Sequence, residues 1–130
     1  MVLAGSGASL AAPPAEAASL VAHHSGARFV AGVRSLDQQL STFEFSESAI
    51  SDALTTADQT IGPNGRPMTL DERMEDMLRR HGLDSPNARA HAQRVPYLRQ
   101  AVRRTLEICR SLDKRRTGRF NGAVDRLTLP

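Results

Sequence analysis

One acidic residue at an apolar edge constrains this chain more than any other feature. Residues 47–69, ESAISDALTTADQTIGPNGRPMT, read as a helix followed by a tight polar loop. Ile50, Ala53, Leu54, Ala57 and Ile61 recur at three- and four-residue steps, so they share one helical face and are expected to meet a core. Asp58 stands four residues after Leu54 and three before Ile61, at the edge of that stripe. A carboxylate that leaves water loses several kcal/mol of hydration unless a cation, a metal or several hydrogen-bond donors meet it. Asp58 therefore requires a partner.

The 130 residues suffice for one domain with a modest core. With aromatic residues at 4% and no Trp, that core must be built from Leu, Val, Ile, Met and Ala, a composition that favours an all-α fold. Residues 1–14 read as a loose lead-in closed by Pro13 and Pro14, residues 15–113 as the helical region, and residues 114–130 as a basic tail with Phe120 and Leu127 as anchors.

Within the helical region, a first helix over 15–24 presents Ala17, Leu20, Val21 and His24 inward, with His23 about 100° round toward the rim. A second spans 28–40, with Phe29, Val30, Val33, Leu36 and Leu40 inward, and Phe43 and Phe45 tuck under the fold after it. Gly62, Pro63, Asn64 and Gly65 have the chemistry of a tight turn or short hairpin. Thr69 and Glu72 form a capping box for a helix that buries Leu70, Met74, Met77 and Leu78 and ends at Gly82. A short helix runs from Ser85 to near Pro96, and a last one over 95–113 carries Leu98, Val102, Leu106, Cys109 and Leu112 on one side.

The net charge of +3 hides a split: residues 1–93 hold seven arginines against eleven acids, and residues 94–130 ten basic residues against three. The basic end can attract phosphate, nucleic acid or an acidic neighbour. Residues 70–94 also admit a helix-turn-helix reading with Arg89 and Arg94 on the second helix, and Arg110, Lys114, Arg115, Arg116 and Arg119 could add sequence-blind phosphate contacts. No Asn or Gln pair is set for reading bases, so nucleic acid is not the expected partner. Cys109 is the single cysteine, which excludes an intramolecular disulfide. No apolar run approaches the roughly 20 residues that cross a bilayer, and a cytoplasmic location is expected.

His24 and Asp58 are thus two inward polar groups on different helices. Imidazole and carboxylate are ligands that Mn, Fe, Mg or Zn accept. An inward histidine is more often a core residue satisfied by a backbone carbonyl. Residue types alone leave both readings open.

Three segments carry a more specific pattern: LVAHHSGARF (residues 20–29), DALTTADQTIGPNGRPMTLDERMEDML (residues 52–78) and SPNARAHAQRVPYLRQAVRR (residues 85–104). Together they resemble the C-terminal half of HD-domain hydrolases, all-helical metal-dependent phosphohydrolases. The resemblance implies that Asp58 is the final metal-binding Asp, that His24 serves a second metal as in the dinucleoside tetraphosphate hydrolases, and that His23 is a further candidate ligand. It implies phosphoester hydrolysis, in which a metal lowers the pKa of bound water toward 7, with Arg66 of the polar loop steering phosphate.

Such an enzyme also carries an earlier His and an adjacent His-Asp pair. Residues 1–22 contain neither His nor Asp, and His81 and His91 are not followed by Asp. The expectation is an N-terminally truncated HD-domain-like protein that binds a divalent ion weakly and does not hydrolyse phosphoesters alone. Its partners would be a phosphorylated small molecule or nucleotide and, through Leu20, Val21, Ile50 and Leu54 left exposed, a second copy in a homodimer.

Overall fold

The structure, a computed structural model, describes residues 14–119. The lead-in before Pro14, and the proposed anchors Phe120 and Leu127, lie outside the described residues. Among those described, the architecture is all-α: α1 (Ala15–His23), a 3-10 turn (His24–Gly26), α2 (Ala27–Val33), α3 (Asp37–Leu40), α4 (Ala49–Thr60), α5 (Leu70–His81) and α6 (Pro86–Arg119). No described helix is long and apolar enough to cross a membrane.

Helix α6 is the spine against which α2, α4, α5 and the 3-10 turn pack. At 34 residues it extends about 51 Å. The break expected near Pro96 does not occur. Proline removes one N–H from the ladder, but Pro96 and Ala92 are both exposed, so water can satisfy the freed carbonyl. Tyr97 and Leu98 hold the next turn in the core. The helix also continues through Lys114, Arg115 and Arg116, which the sequence assigns to a tail.

The apolar core lies between α5 and α6, where Leu70, Met74, Met77, Tyr97 and Leu98 are buried together and Phe29 packs against them. The capping box starts α5 as expected, Thr69 and Glu72 each accepting from the other's backbone N–H at 3.2 and 2.7 Å. The loop before it closes as a short hairpin with one bridge, Ile61 to Pro67.

Two elements differ from expectation. The second helix stops at Val33, because Ser35 adopts a left-handed φ of +56° and the Leu36 N–H turns back to the Ala31 carbonyl. That is a Schellman closure with serine where glycine is usual. The second difference is larger. Helix α4 is turned over: Ser51, Asp52, Thr55 and Gln59 are buried, whereas Ile50 is 61% and Ile61 42% exposed, with Ala53 and Ala57 also outward. The buried face is polar, and the apolar stripe read as core faces solvent. Hydrogen bonds make this possible; Asp52, for example, accepts both Nε and an Nη of Arg104 at 2.6 and 2.9 Å.

The other inward assignments divide. Leu20 and Leu54 are half-buried, but Val21, Phe43, Leu106 and Leu112 are exposed. Phe45 is half-buried beneath the Arg28 guanidinium, which lies 4.3 Å from its ring centre and 5.0 Å from that of Tyr97.

Gly26 has φ +67°, and an added Cβ would meet Phe29, Arg94 and Tyr97 at 3.1–3.2 Å. Gly26→Ala should destabilise the protein by about 2–4 kcal/mol through backbone strain and crowding, measurable by urea denaturation. Ile50→Ser, at a position the sequence reads as core, should change stability by less than about 0.5 kcal/mol in the same assay.

Candidate functional site

The site is built around the turn between α1 and α2. Ser25 has a left-handed φ of +54°, uncommon for a residue with a side chain. All three of its polar groups are engaged. Its N–H donates to Thr55 Oγ1 at 3.1 Å, its hydroxyl donates to Asp58 Oδ2 at 2.5 Å, and its carbonyl accepts from Arg94 Nε at 2.7 Å. One residue therefore ties α4 to α6, and the bonds offset the strain of its backbone.

Asp58 finds its partners here. Besides the Ser25 hydroxyl, its Oδ2 accepts from Gln59 Nε2 at 2.6 Å. Arg94 brings a positive charge to the same cavity. Burial pushes the Arg94 guanidinium below its ordinary range, the Asp58 charge raises it back, and nearby Arg73 lowers it again. An arginine stays charged at any relevant pH, so Arg94 is a cation stripped of part of its water.

Asp58, Ser25 and Arg94 line a cavity of about 500 Å³ with His24, Arg34 and Asn87. Val30, Leu36, Leu40 and Phe43 supply an apolar wall. Two guanidiniums thus face one carboxylate. His24 Nδ1 lies 2.5 Å from the Val21 carbonyl, which can only accept, so Nδ1 carries the proton and the neutral ring keeps its lone pair on Nε2.

The two histidines exchange the positions expected of them. His23 is buried, its Nε2 donating to the Phe43 carbonyl at 2.8 Å and its ring 5.2 Å from Phe45, and it lines a different cavity from Asp58. His24 is only half-buried, at the Asp58 cavity. Extrapolating a 100° step fails because α1 ends at His23 and the 3-10 turn redirects the next side chains. Arg66 lies apart as well, in a cavity of about 370 Å³ shared with Glu72, Glu75, Asp76 and Arg79. Three carboxylates make that a poor seat for phosphate.

As a metal centre the set is short. Among the described residues no group of three or more His, Cys, Asp or Glu could hold an ion. Asp58 and His24 share a cavity, but catalytic metal sites commonly use three protein ligands, and the Asp58 charge is already opposed by Arg94. The helix-turn-helix reading loses Arg94 too, since that side chain is half-buried and lines the Asp58 cavity rather than an exposed helix face. Sequence reasoning missed Ser25, Gln59, Arg34 and the inward role of Arg94. One signal was present: Ala90, Arg94, Leu98 and Ala101 form an i, i+4, i+8, i+11 series, which puts Arg94 on the buried stripe of α6.

No family model matches the chain, and neither a curated protein nor a solved structure matches it.

Thr55 is fully buried and meets the Ser25 N–H. Thr55→Val keeps its shape but leaves that N–H without an acceptor, so urea denaturation should register a loss of about 1–3 kcal/mol.

Proposed function

We propose that this chain is a relative of the HD-domain phosphohydrolases that holds a phosphorylated small molecule or nucleotide in the Asp58 cavity without hydrolysing it. The observation that carries the reading is the half-buried Arg94 guanidinium, fixed through Nε to Ser25 and joined at the cavity by Arg34, against the single carboxylate of Asp58. A cavity with that excess of positive charge favours an anion, and a guanidinium presents planar donors suited to phosphate oxygens. The apolar wall of Val30, Leu36, Leu40 and Phe43 suits a base or other flat organic group.

The relationship to HD-domain enzymes rests on the HHSG, AD and GPNGxPxTxxER pattern, and the convergence of His24 and Asp58 on one cavity is consistent with it. In such enzymes a bound divalent ion activates water and polarises the phosphoryl oxygen. Here the two donors are too few to retain an ion firmly. His24 and Arg34 share the cavity wall with Arg94, whose guanidinium the Ser25 carbonyl holds through Nε.

Calorimetric titration with ADP and ATP should therefore show binding that Arg34→Ala, at an exposed position, and Arg94→Ala each weaken at least about tenfold, or about 1.4 kcal/mol. A chromogenic phosphodiester with added Mn should not turn over. Folded protein with no affinity for either nucleotide would overturn the cavity assignment, and turnover abolished by Asp58→Ala would overturn the lack of catalysis.

A further inference from the structure

Helix α6 keeps a single stripe along most of its length. Leu98, Ala101, Thr105, Ile108 and Leu112 follow one another at steps of three and four, the spacing of a helix-pairing seam. Its first part is covered: Leu98 and Ala101 are fully buried. Beyond the Asp52–Arg104 pair near the start of α4, the same stripe emerges into solvent, with Ile108 45% and Leu112 56% exposed. No described residue of the chain covers it.

A second apolar face that no described residue covers is the outer side of α4, where Ile50 and, just past the helix end, Ile61 flank the small residues Ala53 and Ala57. Small residues between larger ones let another helix approach closely. The two faces carry opposite charge. Helix α4 has no Lys or Arg, and Glu44 and Glu47 are exposed just before it. The far part of α6 carries Arg110, Lys114, Arg115 and Arg116 against Glu107 and Asp113.

We infer that these faces dock on each other between two copies of the chain, the basic end of α6 from one copy covering the outer face of α4 on the other. Charge decides the occupant. Pairing of α6 with α6 would bring like charges together, whereas α6 on α4 joins a basic seam to an acid-flanked one, and every copy carries both. The surfaces include no residue lining the Asp58 cavity, so the inference stands apart from the proposed nucleotide binding.

Sedimentation equilibrium on the whole chain tests it. The protein should self-associate, less tightly as salt is raised. Ile50→Glu and Leu112→Glu should each weaken association at least about tenfold while the circular dichroism spectrum stays unchanged, since both side chains are exposed within one copy. A pair of charge-inverted proteins gives the sharper readout. Glu44→Lys with Glu47→Lys, and Arg115→Glu with Arg116→Glu, should each be monomeric alone and should associate when mixed. A monomer at every accessible concentration, failure of the mixed variants to associate, or a monomer whose basic helix captures DNA in a salt-sensitive way would overturn the inference.

Discussion

The hydrogen bonds of Ser25 are the constraint on which the arrangement of helices depends. A residue in left-handed backbone sits between two helices, its N–H on Thr55, its hydroxyl on Asp58 and its carbonyl on Arg94. Bonds that involve a charged partner contribute about 1.5–3 kcal/mol each, and two of the three are of that kind. The cost of a strained turn is thereby offset, and Gly26 lets Phe29 and Tyr97 close over it. The cavity, the orientation of Arg94 and the entry of α2 follow from this one turn.

A consequence is the reversal of α4. Its polar side chains are the ones that reach Ser25 and Arg104, and they can do so only if its apolar stripe turns outward. Polar burial of this kind is tolerable because nearly every group has a partner; Gln59 Oε1 is an exception. The apolar core is displaced to the α5–α6 side, where Met74, Met77 and Leu98 need nothing but one another. The molecule thus combines one interface held by packing with another held by directed bonds. The second kind fixes geometry more tightly, and it forms part of the wall of the Asp58 cavity.

Legibility followed the range of the interaction. The Thr69–Glu72 capping box, the turn from Gly62 to Gly65 and the buried face of α5 were readable because each depends on residues within a few positions of one another. The all-α class followed from composition and period. The facing of α4 was not readable: periodicity gives the apolar side of a helix, but which side is buried depends on partners at 30 and 52 residues' remove. Ser35 closed α2 through the Leu36 N–H bond to the Ala31 carbonyl, at a position where glycine is usual, and Pro96 did not interrupt α6 because Ala92 is exposed and water can meet its freed carbonyl. Asp58 was read as an acid at the edge of a buried apolar stripe; it lies instead beside the buried polar face, where a hydroxyl and an amide donate to it and the Arg94 charge is nearby.

Native-state hydrogen exchange at the Ser25 amide tests this arrangement most directly. With Ser25 fastened to Thr55 between α4 and α6, its N–H should exchange only through global unfolding, as slowly as the buried amides of α6 around Leu98. Exchange at the rate of a free peptide, with the α6 amides still protected, would contradict it and remove the support for the cavity that Asp58 and Arg94 share.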